Sequence, residues 1–424
     1  MEIIRIQGGH RLSGKVQIRG AKNAALPLMV SAMLTEEDLI LDNLPYLADI
    51  QTMTALLNSH GVQVNRSMPS SADDRRVSLN AARISNTTAE YDLVRKMRAS
   101  ILVLGPLLAR EGSARVSLPG GCAIGTRPVD IHLSGLSQLG AEITLVDGYV
   151  EAKASSGLRG ASLSLPFPSV GATENLMMAG VLADGLTVIK NAAREPEVAD
   201  LSNCLIKMGA DIQGVGTSEL KIEGRKSLHG ASHSVIPDRV EAGTYAIAAA
   251  ITSGNVELLG ISSEHLEAPL KMLEQAGVDT HVTPRGIEIS ASKRILASDI
   301  ATNTYPGFPT DLQAQAMALM TIAEGPSVIT ETIFENRFMH VPELIRLGAD
   351  INIKGPTAIV RGVKGLRGAP LMATDLRASS SLVIAGLVAE GETTVSRVHH
   401  IDRGYERIEE SLSVLGAIIV RESV

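Results

Sequence analysis

Two domains of mixed α/β architecture, each made of three copies of one unit, form the fold that this 424-residue sequence predicts. Three observations predict it. An amphipathic helix, a glycine and an alternating apolar stretch recur six times, as LLNSHGVQV, LSQLGAEI, LIKMGADI, LEQAGVDT, LIRLGADI and LSVLGAII. A second helix type, rich in Ala and Leu, alternates with the first. The repeat of about 70 residues exceeds that of common solenoids, and six such units fit two domains of three.

The recurring glycines are Gly61, Gly140, Gly209, Gly277, Gly348 and Gly416, spaced by 79, 69, 68, 71 and 68 residues. A glycine after the last turn of a helix suits the left-handed cap, because it has no Cβ to clash there. Residues that follow, such as Asp350-Ile351-Asn352-Ile353, alternate as a half-buried strand does. In the first amphipathic helix Asp49 reads as the cap, and Ile50, Met53, Leu56 and Leu57 form one apolar face that would cover a sheet. The other helix type appears as KNAALPLMVSAML, RASILVLGPLLAREG, GATENLMMAGVLADG, EAGTYAIAAAITSG, DLQAQAMALMTIAEG and DLRASSSLVIAGLVAEG. Apolar on nearly every face, it belongs inside its domain, and five copies end at Gly112, Gly185, Gly254, Gly325 and Gly391. The widest gap holds a polar stretch, Ser67 to Arg76, that reads as a surface loop. A domain join falls near Ser234-Val235-Ile236-Pro237-Asp238, where the fourth unit begins.

Composition narrows the function. Aromatic residues make up 2% with no Trp, which argues against stacking platforms for single-stranded nucleic acid. A net charge of -7 gives no general attraction to nucleic acid or to anionic membranes. No run approaches the ~18 apolar residues of a membrane span, and MEIIRIQGG lacks the apolar core of a signal peptide. The two cysteines suggest neither a disulfide framework nor a zinc site, so a reducing cytoplasm is the expected home.

Cys204 lies on an apolar helix stripe between Leu201, Leu205 and Met208 and reads as core. Cys122 reads differently. LPGGCAIGTRPVD, residues 118–130, sets it among three glycines with Arg127 five residues on, the ingredients of a reactive thiol on a turning loop. Charges also gather at helix starts. Asp311 and Asp375 follow Thr310 and Thr374, where an acid complements the helix dipole, so capping is the expectation for both. Lys22, Arg98, Arg377 and Arg403 oppose that dipole, so something must offset them. A bound anion would, and for Arg403 a surface pair with Asp402 or Glu406 is the alternative.

An ordered series of motifs now bears on these residues: GAKNAALP, MRAS, LPGGCAIGTRPVD, SVGATEN, NAAREPE, PTDLQAQ, ETIFENRFMHVPELIRLGA, ATDLRAS and HIDRGYERIE. Together, end to end, they closely resemble the family of UDP-N-acetylglucosamine enolpyruvyl transferases. The resemblance implies two inside-out α/β barrels of three units each, closing over a cleft. It assigns residues 22–236 to the domain carrying the Cys122 loop, and residues 1–21 with 237–424 to the domain carrying Asp311 and Arg403. The implied reaction moves the enolpyruvyl group of phosphoenolpyruvate to the 3-hydroxyl of UDP-N-acetylglucosamine and releases phosphate, the first committed step of peptidoglycan synthesis.

Residue by residue, the resemblance makes Cys122 the proton donor and site of a covalent phosphoenolpyruvate adduct, and Asp311 the base for the sugar hydroxyl. It places Lys22, Asn23, Arg127, Arg377 and Arg403 on phosphoenolpyruvate, Lys22 and Arg403 also serving catalysis. Arg98, Arg127, Pro128, Val129, Asp130, Ile131, Ser169, Val170, Gly171, Asp311 and Ile333 fall to the nucleotide sugar. Neither metal nor other cofactor is implied, because the cations neutralise the anions. This chain departs from many members at Ala48, where they have a basic residue, and at Phe167, where some have Lys. A shikimate-pathway enolpyruvyl transferase and a silent paralogue regulated through Cys122 are the alternatives. The first lacks this cysteine loop, and the second would not need both an acid and a base.

Overall fold

The computed structural model describes residues 2–66, 75–119, 129–292 and 294–423. They divide into two compact units, one from Gly20 to Ile236, the other made of the chain up to Arg19 and from Pro237 onward. Each unit has a separate apolar core built from Ala, Val, Ile, Leu and Met.

Among the described residues six four-stranded sheets account for the strands, three in each unit. All share one plan: a parallel pair, then two antiparallel neighbours. In the unit starting at Gly20, Ala231–Ser234 runs parallel to Asp38–Asp42, which pairs antiparallel with Val77–Asn80 and through it with Gln63–Arg66. Thr88–Ala89 and Ser162–Ser164 start the other two sheets in the same way. The remaining unit repeats the plan, with its order partly supplied by the chain's start. Ser13–Gln17 runs parallel to Asn255–Leu259, and Glu2–Gln7 sits between Glu392–Ser396 and Ile418–Ser423, antiparallel to both. The sheets remain separate from one another in hydrogen bonding, so neither unit is a closed hydrogen-bonded barrel among the described residues.

The glycine signature holds in all six copies. Gly61, Gly140, Gly209, Gly277, Gly348 and Gly416 take φ between +84° and +100°, each two residues past a helix that ends at Ser59, Gln138, Lys207, Gln275, Arg346 or Val414. An L side chain is strained in that region, which is why the sequence keeps glycine there. The strand that follows is an edge strand in every sheet. That explains one departure from the expected alternation: in Asp350–Lys354 only Ile351 is buried, while Ile353 is 43% exposed.

The Ala- and Leu-rich helices are buried almost throughout, as in Arg239–Ile251, where every residue from Val240 on is covered. Their ends differ from expectation. Only Gly112 caps its helix directly, at φ +68°. Helices Val170–Gly180, Gln313–Met320 and Leu376–Gly386 stop about five residues before Gly185, Gly325 and Gly391, which instead turn the chain into the next strand. Before Gly254 the left-handed position belongs to Ser253. Asp49 is also not a cap. The helix is Ala48–Ser59, its N-cap is Leu47 without a side-chain bond, and Asp49 lies in the first turn.

Candidate active site

The two units carry separate parts of the expected site. In the Gly20–Ile236 unit, Lys22 is the first residue of helix Lys22–Ser31, where its charge opposes the dipole. The offset is visible. Lys22 Nζ stands 3.4 Å from Asp49 Oδ2, and both residues are buried. Asn23 follows, half-buried, on the same turn.

A second group forms around the start of helix Val170–Gly180. Ser169 caps it, its Oγ accepting the Ala172 N–H at 3.4 Å. The N–H groups of Val170 and Gly171 are left without intrahelical acceptors by the geometry of any helix start. Helix Asp130–Gln138, with Val129 as its N-cap, packs alongside, burying Ile131 and leaving Asp130 exposed. Arg98 opens a 3-10 helix, Arg98–Val103, that packs on the same helix. Val129, Asp130, Ile131, Ser169, Val170, Gly171 and Arg98 are thus gathered by three packed elements.

Two residues that motif reading did not single out hold this group together. Asn175 Oδ1 accepts the Gly105 N–H at 2.8 Å, and its Nδ2 donates to Ile101 O at 3.1 Å and to His132 Nδ1 at 3.0 Å. An amide nitrogen only donates, so His132 Nδ1 is the acceptor and its proton belongs on Nε2. Burial and then the charge of Arg98 push the His132 pKa down to about 4, so the ring is neutral. Gly105 permits the close approach: a Cβ there would lie 2.3 Å from Asn175 Oδ1.

In the other unit Asp311 is central. It sits inside the short 3-10 helix Thr310–Leu312, whose N-cap is Pro309, and its side chain caps nothing. Arg337 Nη2 donates to Asp311 Oδ1 at 2.7 Å, while Arg377 grips Oδ2 with Nη2 at 3.1 Å and Nε at 3.2 Å. Both guanidiniums are about 95% covered and the carboxylate keeps 25% exposure. Oδ2 takes two of these bonds and Oδ1 one, and the exposed part of the carboxylate is where a hydroxyl could approach. Burial works against the charge of Arg377, but Asp311, Tyr405 and Asp238 outweigh it and raise the pKa. The Tyr405 hydroxyl lies 3.5 Å from Arg377 Nη1, and it also meets Thr244 Oγ1 at 2.8 Å and Gln315 Nε2 at 3.3 Å.

Ile333 is held by its backbone. Its N–H, with that of Phe334, donates to Glu331 Oε1 at 2.8 and 3.1 Å, and Glu331 Oε2 accepts from Thr310, which also receives Arg337. Asp375 is the cap it was expected to be, taking the N–H groups of Arg377 and Ala378 at 2.9 and 3.0 Å. Arg403 is not at a helix start. It ends the 3-10 turn Val398–Arg403, and helix Ile408–Val414 begins further on. Nearby, Asp402 takes Arg421 at 2.6 Å and Glu406 takes Arg19 at 2.9 Å.

Cys122, Arg127 and Pro128 lie outside the described residues, as does most of the Ser67–Arg76 stretch. Cys204 is core: fully covered, its thiol pushed up to about 12 by burial and then by Asp200. Phe167 is 53% exposed and Ala48 opens its helix. Among the described residues no group of His, Cys, Asp and Glu is arranged to hold a metal, and no helix is long and apolar enough to cross a membrane.

Six copies of one α/β unit, with a carboxylate clamped by two arginines in one half and cationic helix starts in the other, stand on a fold that matches solved enolpyruvyl transferases. The chain belongs to the EPSP synthase (3-phosphoshikimate 1-carboxyvinyltransferase) family, whose model it matches over residues 6–412. Within that family its curated relatives carry a narrower name. The UDP-N-acetylglucosamine 1-carboxyvinyltransferase of Granulibacter bethesdensis is 60% identical over 423 residues, covering 100% of both chains. That of Paramagnetospirillum magneticum is 59% identical, covering 99% of this chain and 98% of the relative. Among solved structures, the enolpyruvyl transferase NikO from Streptomyces tendae matches with a TM-score of 0.89 at 26% identity, covering 99% and 98% of the two chains. EPSP synthase from Acinetobacter baumannii matches at 0.77 and 19% identity over 100% of each, a likeness of fold alone.

Proposed function

We propose that this chain is a UDP-N-acetylglucosamine 1-carboxyvinyltransferase, acting in the cytoplasm on the first committed step of peptidoglycan synthesis. It transfers the enolpyruvyl group of phosphoenolpyruvate to the sugar 3-hydroxyl and releases phosphate. The observation that carries this reading is Asp311, fixed at both oxygens by Arg337 and Arg377 yet part-exposed, alongside full-length relatives of that name.

In this reading the sugar oxygen attacks C2 of phosphoenolpyruvate while Asp311 takes the hydroxyl proton and Cys122 protonates C3. The reverse proton loss from C3 then expels phosphate from C2. Each positioned proton transfer contributes about 10²–10⁴-fold. Cys122 is also the site of the covalent adduct. Lys22, Asn23, Arg127, Arg377 and Arg403 hold the anionic donor. Arg98, residues 127–131, Ser169, Val170, Gly171, Asp311 and Ile333 hold the nucleotide sugar, the helix start at Val170–Gly180 suiting its diphosphate. Residues 22–236 form one domain of this machine, and residues 1–21 with 237–424 the other.

Phosphate release is the test. It should require both substrates together and appear with neither alone. Shikimate 3-phosphate serving as acceptor in place of the nucleotide sugar would overturn the reading. Cys122→Ala should abolish turnover while nucleotide-sugar binding persists; a near-normal rate would remove the thiol from the mechanism.

A further inference from the structure

Glu331 stands one residue past strand Pro326–Thr330, which lies between Ile300–Ala301 and Thr357–Arg361 in its sheet. Its own N–H is fixed on Pro356 O at 2.8 Å, and its side chain is buried. Four donors reach the carboxylate. Thr302 Oγ1 at 2.9 Å and the N–H groups of Ile333 and Phe334 meet Oε1, and Thr310 Oγ1 meets Oε2 at 2.8 Å. All four are neutral groups, and a buried carboxylate is costly unless a cation answers its charge.

The cation lies one hydrogen bond further on. A carboxylate only accepts, so the single Thr310 O–H proton points to Glu331. The Thr310 oxygen is then left to accept from Arg337 Nη1, 3.2 Å away. The other end of that guanidinium, Nη2, donates to Asp311 Oδ1 at 2.7 Å. Every donor direction in the chain is therefore set, with Glu331 and Asp311 at opposite ends of one rigid fork. Capping the turn at Ile333 accounts for Oε1 alone. Oε2 instead reaches Thr310, 21 residues away, where it adds nothing to that turn.

We infer that Glu331 is a positioning residue for Asp311: through the Thr310 hydroxyl it sets the Arg337 fork, and so the place of the carboxylate that takes the sugar proton. This rests on the reading that Asp311 is that base. Glu331 touches no substrate in this scheme and acts only through Thr310 and Arg337. Because the same carboxylate holds the Ile333 and Phe334 N–H groups, it also ties the base to the segment proposed to meet the nucleotide sugar.

The test measures kcat and the KM for UDP-N-acetylglucosamine on the full chain, with a urea midpoint for each variant. Glu331→Gln keeps an oxygen for the turn but removes the acceptor that orients Thr310. Thr310→Val removes the hydroxyl and keeps the shape. Each should lower kcat roughly 10- to 100-fold, the scale of a misplaced catalytic group, with KM little changed. The two act in series, so the double variant should lose no more than either single one. Thr310→Ser, which restores the hydroxyl, should recover most of the rate. An unchanged kcat in Thr310→Val would overturn the inference, as would losses that multiply in the double variant or fall on KM alone. If Glu331→Gln does not fold, Thr310→Val against Thr310→Ser decides. Wild-type turnover in Asp311→Asn would overturn the underlying reading instead.

Discussion

The tripeptide Thr-Asp-Leu occurs twice at the start of a buried helix, at 310–312 and at 374–376, and the two aspartates do unlike things. Asp375 is an N-cap with extended backbone, its carboxylate turned back to its own Arg377 and Ala378 N–H groups. Asp311 lies two positions further inside its element, after a Pro309 N-cap, and its carboxylate goes outward to Arg337 and Arg377. A shift of two positions relative to the helix start turns a cap into a clamped, part-exposed carboxylate. Local sequence supplies an acid near a helix start; which use it finds depends on where the helix begins and on arginines 26 and 66 residues away.

Breaking the first member of that pair should have the largest effect. Asp311→Ala should lower kcat by about 10²–10⁴-fold if the carboxylate transfers a proton, and leave two covered guanidiniums without their partner at a cost of about 3–5 kcal/mol. Activity assays with denaturant melts would separate the two; a kcat within a few-fold of wild type would take Asp311 out of the chemistry. Arg337→Met leaves Arg377 gripping one oxygen and removes the Arg337 bond to the other, so the carboxylate is held less tightly. A displacement of that kind costs about 10²-fold in kcat/KM, and an unchanged value would mean Arg377 alone sets the geometry.

Smaller effects sharpen the contrast. Tyr405→Phe removes a hydroxyl that meets Thr244, Gln315, Ser380 and Arg377, and should destabilise by about 1–3 kcal/mol, read from the urea midpoint. Asp375→Ala should cost about 1 kcal/mol, the ordinary loss of a cap. A cost as large as that of Asp311→Ala would erase the distinction between the two sites. The smallest effect concerns pH. His340 is pushed to about 4 by burial, with Asp375 raising and Arg337 lowering it, and His132 also to about 4. Both pKa values fall below the ordinary 6.5, so between pH 6.5 and 4 the unfolded chain binds more protons and stability declines as pH drops. His340→Gln should shallow that decline; an identical profile would assign the acid sensitivity elsewhere.

Much of the architecture was legible because its signals are local. A left-handed helix end leaves a glycine in the sequence, and six of them at near-constant spacing reveal the repeat. The sites were less legible. Asn175, Arg337 and Tyr405 stand inside the motifs SVGATEN, ENRF and RGYE, yet nothing in spacing tells which partner each meets across 70, 26 or 161 residues. Arg403 was misplaced for a related reason: the 3-10 turn preceding its helix has too short a period to stand out among apolar residues. Asp49, expected as a cap, answers instead to Lys22, a tertiary partner 27 residues away.

The strand Glu2–Gln7 has a consequence for the order of folding during synthesis. It pairs residue by residue with Ile418–Ser423, Glu2 opposite Ser423 and Gln7 opposite Ile418, and its other edge meets Glu392–Ser396. Glu2–Gln7 must therefore wait for the much later strands Glu392–Ser396 and Ile418–Ser423. The described residues between Gly20 and Ile236 form one unit with its own core, so it can fold while the rest is still being made. The other unit bears the loop-closure entropy between its two distant segments, and its last sheet lacks the strand that joins Glu392–Ser396 to Ile418–Ser423 until Glu2–Gln7 docks.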